Sequence, residues 1–139
     1  MLLSNKGGIK MGLDNGIIVK KNGTTIEMYK NKSRYITYEW DTDFEVAYWR
    51  KCWNVRADIL WLTNGWRHDQ SYTVLDKDDI YHIIKLLKSY NKNTWDKSET
   101  IWSWKEHKKI NKRHIRNLKY LYKYMKKHDD IEVRFYDSY

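Results

Sequence analysis

Residues 105–128 hold ten of the chain's 27 lysines and arginines and a single acid, Glu106. That segment carries the whole formal net charge of +9, and the other residues balance. On a helical wheel of ~100° per residue, Trp104, Ile115, Leu118, Leu121, Tyr122 and Met125 form one face. Lys105, Lys108, Lys109, Lys112, Arg113, Arg116, Lys119 and Lys123 cover most of the rest, with Lys126 and Lys127 beyond them. Cations repeating about once per turn suit the phosphates of a polyanion, and such binding weakens steeply with salt because counterions are released. Tyr120 and Tyr124 lie in the same surface and offer rings for stacking. The competing reading is a solvated face in a lysine-rich chain, since the abundance of Lys, Asn, Ile and Tyr fits an AT-rich coding genome. A membrane-surface helix is the weakest reading, because the core needs the apolar stripe.

A second set of candidates lies on residues 42–63. Thr42-Asp43-Phe44-Glu45 has the pattern of a capping box. It predicts one long central helix to about Thr63, stopped by Gly65. Phe44, Ala47, Tyr48, Cys52, Val55, Ile59 and Leu62 would share one face, and Val46, Trp49, Trp53, Ala57 and Leu60 nearly the opposite one. A helix apolar on two faces is buried on two sides. Arg50, Asn54 and Arg56 on the strips between must then be paired or bound to a ligand. Internal ion pairs, such as Arg50 or Lys51 with Asp58, are the simpler account. The sharper one is an anion or nucleotide pocket, in which Arg grips phosphate and Trp49, Trp53 or Trp61 stacks a base.

Other reactive types are sparse. His107, Asn111 and His114 stand at i, i+4 and i+7 on the apolar side of the basic helix. No third ligand is evident, so half-buried, hydrogen-bonded side chains are expected rather than a metal site. His68-Asp69 and His82 are isolated. Asp14 and Asn15, followed by Gly16, read as a turn that would bind a ligand only if that end of the sheet is functional. No phosphate loop, nucleophile elbow or paired-His motif occurs. The expectation is a binding protein without cofactor or metal, and nothing argues for an enzyme.

The elements that must carry these residues make a single α+β domain. Gly16–Lys20, the turn pair Asn22-Gly23 and Thr24–Tyr29 predict an N-terminal hairpin. Ser33–Trp40 predicts a third strand, Tyr72–Leu75 a strand or linker, and Ile131–Tyr136 a C-terminal strand. Asp76–Asp79 caps a helix ending near Tyr90, residues 91–98 form a polar loop, and the basic helix spans about Glu99–His128 with a possible break near Glu106. The small antiparallel sheet would pack with three helices on one side. The chain has 139 residues, no proline and one cysteine, Cys52, which rules out an intrachain disulfide. No apolar run reaches the roughly 20 residues that span a bilayer, and no signal peptide opens the chain, so a cytosolic protein without membrane contact is expected.

Lys6-Gly7-Gly8 can be encoded by a purine run resembling a ribosome-binding sequence, which would make Met11 the natural start, residues 1–10 a disordered translated leader and 11–139 the domain. The segments Met11-Gly12-Leu13-Asp14-Asn15-Gly16-Ile17 and Ala47-Tyr48-Trp49-Arg50-Lys51-Cys52-Trp53-Asn54-Val55-Arg56 resemble small uncharacterised proteins of phages and prophages of low-GC Gram-positive bacteria, and the closing Tyr136-Asp137-Ser138-Tyr139 is similar in flavour. The resemblance covers a minority of the chain and assigns no activity. It implies a phage accessory protein in the bacterial cytoplasm. The expected function is to counteract a defence system by binding a nucleotide signal, a nucleic acid or a host complex carrying one. The alternatives are a phage nucleic-acid-binding or regulatory protein without a defence target, and an enzyme acting on nucleotides through Asp14, His68 or His107.

Overall fold

A computed structural model describes residues 13–63, 72–95, 100 and 102–138. The leader at 1–10, Met11, Gly65, His68, Asp69 and Tyr139 lie outside them. Strands β1 (Asp14–Lys20), β2 (Tyr38–Glu39), β3 (Asp43–Arg50), β4 (Tyr72–Leu75) and β5 (Val133–Ser138) form one sheet in the order β2-β3-β1-β5-β4. Every pairing is antiparallel, and the first and last strands meet at the centre. The helices are α1 (Gly23–Asn31), α2 (Trp53–Thr63), α3 (Lys77–Ser89), α4 (Lys92–Trp95) and α5 (Trp104–Met125), with a 3-10 turn at Ser33–Tyr35. The α+β class read from the sequence is therefore the observed one.

Several expectations are corrected. Asn22-Gly23 does not turn a hairpin. The Asn22 side chain accepts the Thr25 N–H at 2.9 Å and donates to the Asp130 carbonyl at 2.9 Å, so it caps α1. Thr25, Met28 and Tyr29 are the buried residues of α1, a helical spacing rather than an alternating one. The expected third strand is reduced to Tyr38–Glu39. Residues 42–63 are not one helix. The Trp40 N–H bonds the Asp43 carbonyl at 2.8 Å, which puts Thr42 in the β2–β3 turn instead of at a helix cap. β3 follows, Lys51 breaks the chain with a left-handed φ of 52°, and α2 starts at Trp53.

The false helix has a physical cause. Phe44, Glu45, Val46 and Ala47 are all buried, since β3 lies between β1 and β2 and also meets α5. Four consecutive buried residues hide the alternation of a strand. A bulge sharpens the effect: Ile17 pairs with Ala47 and Ile18 with Glu45, so Val46 is the extra residue.

α3 and α5 follow their sequence signals. Asp76 and Asp79 form a reciprocal capping box, and so do Ser103 and Glu106, so Glu106 marks the start of α5 rather than a break in it. The expected polar loop at 91–98 contains the short α4. The registers place Asn15, Ile17, Val19, Phe44, Ala47, Trp49, Val133 and Phe135 on one sheet face, and all are buried. Tyr29 of α1 packs on Phe44 with ring centres 4.9 Å apart, and His114 of α5 meets Trp49 edge-on, so this is the helix-covered face.

α5 also closes an open sheet edge. β2 pairs only with Glu45 and Phe44, which leaves the rest of that side of β3 without a strand. There His114 Nε2 accepts the Tyr48 N–H at 3.3 Å, and Asn117 Nδ2 donates to the Val46 carbonyl at 3.0 Å. Buried backbone groups need such partners, which explains polar residues on the inner side of this helix.

Candidate functional site

The outer side of α5 is a cationic stripe. Lys105, Lys108, Lys109, Lys112, Arg113, Arg116, Lys119 and Lys123 are all exposed. From Lys105 to Lys123 they run about 27 Å along the axis. Lys112, Arg116, Lys119 and Lys123, at steps of three and four, line a cleft of about 400 Å³ with Tyr35, Ile115 and Tyr120. Tyr35 stacks on Tyr120 with ring centres 4.2 Å apart and planes within 7°. Arg116 donates to the Arg34 carbonyl at 2.5 Å and to Asn117 Oδ1 at 3.2 Å, so its guanidinium is fixed at the cleft wall. It lies 5.4 Å from the centre of the Tyr35 ring, and that of Arg34 lies 5.0 Å away.

The electrostatics of this surface are unbalanced. The Arg34 hydrogen bond, with the charges of Arg34, Arg116 and Lys32, holds the Tyr35 phenol below its ordinary pKa. Lys88, in the last turn of α3, sits so close to Lys119 that its ammonium is pushed below the usual lysine range. Among the described residues, no ion pair involves a cation of α5. A surface of this kind attracts anions and holds them by charge and by arginine's planar donors.

The second set of expected residues does not line one cleft. Trp49 is fully buried on the helix-covered face, while Arg50 is exposed and comes opposite Asp14. Arg56 Nε pairs with Asp137 Oδ2 at 2.7 Å, tying α2 to β5, and its guanidinium lies 5.8 Å from the Trp53 ring centre. Asn54 is half-buried beside Trp53, and Trp61 is 75 % exposed at the far end of α2. Asp58 accepts from the Tyr90 hydroxyl at 2.8 Å rather than from Arg50 or Lys51.

The opposite sheet face holds a site that sequence reasoning passed over. Asp14, Ile18, Thr37, Tyr38, Trp40, Asp43, Glu45, Tyr48, Tyr136 and Ser138 line a cleft of about 640 Å³. The Tyr48 hydroxyl donates to Asp14 Oδ1 at 2.5 Å, and the Tyr136 hydroxyl to Glu45 Oε2 at 2.6 Å. Gly16 makes the second bond possible: a Cβ there would stand 2.9 Å from Tyr136 Cε1 and 2.6 Å from the Ala47 carbonyl oxygen. Burial raises the Glu45 carboxyl, against the hydrogen bonds from Tyr136 and Thr37 that lower it. Burial and then Asp14 push Tyr48 up to about 12. The only sequence signal was Asp14-Asn15-Gly16, read as a turn, because the other groups come from strands distant in sequence.

His107, Asn111 and His114 are buried rather than half-buried, and neither ring nitrogen of His107 has a hydrogen-bond partner among the described residues. His107 stacks on Trp95 at 3.8 Å, Asn111 Nδ2 donates to the Leu87 carbonyl at 2.9 Å, and burial pushes the Cys52 thiol up to about 11. Among the described residues no three His, Cys, Asp or Glu side chains could share a metal ion, and no helix is long and apolar enough to cross a membrane. No family model, curated protein or solved structure matches the chain.

Proposed function

We propose that the chain is a non-catalytic phage accessory protein that counteracts a bacterial defence by binding a phosphate-bearing partner in the α5 cleft. The observation that carries the binding is the convergence of Lys112, Arg116, Lys119 and Lys123 on one cleft without ion pairing among the described residues. The crowding of Lys88 against Lys119 supports it, since a bound anion would relieve the repulsion between two ammonium groups. Arg116, held by the Arg34 carbonyl, would orient a phosphate, and the exposed lysines would add charge. The phage setting rests on the resemblance of residues 11–17 and 47–56 to small phage proteins.

Titration of the wild type with an oligothymidine and with mononucleotides tests the binding. Four cleft cations predict a slope of log affinity against log salt of about −3 for the single strand. A preference for the mononucleotide identifies a nucleotide signal, and a preference for the strand identifies nucleic acid. Recovery of the ligand intact after denaturation, checked by mass spectrometry, is expected of a binder. A salt-independent affinity, or a converted ligand, would contradict the proposal.

A further inference from the structure

The sheet-face cleft has chemistry opposite to that of α5. Three of its lining residues are acids, in a chain with a net charge of +9. Asp43 is met by Lys20 at 2.7 Å. Asp14 and Glu45 are in no ion pair among the described residues. Hydroxyls hold them instead, from Tyr48 for Asp14 and from Tyr136 and Thr37 for Glu45, with the Thr37 hydroxyl 3.4 Å from Oε1. These bonds fix the carboxylates without neutralising them. Glu45 is only 4 % exposed, so its carboxyl sits at the floor of the cleft, where a cation would meet it with little screening by water.

The wall and rim are aromatic. Tyr48 and Tyr136 flank the carboxylates, while Tyr38 and Trp40 meet edge to face at 4.6 Å and remain 54 % and 51 % exposed. A half-open aromatic pair beside unneutralised carboxylates suits a ligand with a cationic head and an apolar stem, because ring faces attract cations and cover methylenes. The volume lies within the range of small-molecule pockets. Arg50, opposite Asp14 in the β1–β3 register, partly offsets the upward shift of Tyr48.

We propose that this cleft binds an organic cation, an ammonium or guanidinium group on an aliphatic stem, with Asp14 and Glu45 taking the head and Trp40 and Tyr38 covering the stem. Two sources share this chemistry: a free alkylamine, or a Lys or Arg side chain of a partner protein. The site is independent of the α5 cleft and stands or falls separately.

The test follows the Trp40 indole N–H by NMR, assigned by its loss in Trp40→Phe. Wild type is titrated with spermidine, with Nα-acetyl-arginine amide and Nα-acetyl-lysine amide, and with the uncharged citrulline and norleucine analogues. A saturable shift is expected from at least one cation and from neither neutral analogue. Tighter binding of spermidine points to a free amine, and tighter binding of a blocked amino acid to a protein side chain. Asp14→Asn and Glu45→Gln should each weaken binding about tenfold or more. Trp40→Ala, at the exposed rim, should weaken it about threefold, read by calorimetry because this variant lacks the reporting indole, and keeps the test open if the carboxylate variants fail to fold. Absence of saturation by every cation up to about 10 mM, equal shifts from the neutral analogues, or an affinity unchanged in Trp40→Ala would overturn the proposal.

Discussion

The α5 cleft takes its four cations from a single helix, whereas the sheet-face cleft takes three carboxylates and two phenols from β1, β3 and β5. Lys112, Lys119 and Lys123 are exposed and make no ion pair among the described residues. Asp14, Glu45, Tyr48 and Tyr136 hold one another, and Tyr136 rests against Gly16. A one-helix surface separates function from stability, so its residues can be changed without harm to the fold. A site assembled across strands ties the two together.

The largest effect that would sharpen this contrast is expected at Gly16. A branched side chain there must displace both the Ala47 carbonyl of the neighbouring strand and the Tyr136 ring. Gly16→Val should cost about 3 kcal/mol, read from the urea midpoint. A variant as stable as wild type would break the claim that the sheet site is tightly built.

The inner side of α5 should behave like the sheet, not like its own outer side. Burial pushes His107 down to about 4 and His114 to about 3. Unfolded, both titrate near ~6.5. Below that pH the unfolded chain takes up protons that the folded chain refuses, so stability is complete above about 6.5 and is lost as pH falls toward the folded values. Each histidine contributes about 1.4 kcal/mol per pH unit in that window. The melting temperature should therefore drop between about pH 6.5 and pH 5, above the ordinary carboxylate range. His114→Gln, which can still accept the Tyr48 N–H, should roughly halve the slope. A flat profile in the wild type would contradict neutral buried imidazoles.

A smaller effect is expected from Tyr136→Phe, which removes the hydroxyl that Glu45 accepts from and leaves the ring in place. The loss should be about 1–2 kcal/mol by urea unfolding. No loss would mean that the phenol–carboxylate pairs do not couple the site to the fold.

The same contrast decides what was legible in the sequence. α5 and α3 could be read because each has a single buried stripe and a capping box written in adjacent residues, Ser103 with Glu106 and Asp76 with Asp79. The cationic stripe came with the helix. β3 could not be read, because four residues in a row are buried and its bulge at Val46 disturbs the alternation. Its end at Lys51 takes a left-handed φ without the glycine that would announce it. Asn22-Gly23 fits a hairpin turn and a helix cap equally well, and only the carbonyl of Asp130, far along the chain, meets the side chain that makes it a cap. The sheet-face cleft was invisible for the same reason: Asp14, Glu45 and Tyr136 become neighbours only through strand pairing.

The smallest expected change in stability accompanies the most direct test of the central claim, that the cations of α5 converge on one anion-binding cleft. The measurement is the oligothymidine affinity, at fixed low salt, of the triple variant Lys112→Glu, Lys119→Glu, Lys123→Glu against wild type. Arg116 is left alone because it bonds the Arg34 carbonyl. The account predicts a loss of at least about a hundredfold in affinity, with stability within about 0.5 kcal/mol of wild type. Wild-type affinity in a folded triple variant would contradict it.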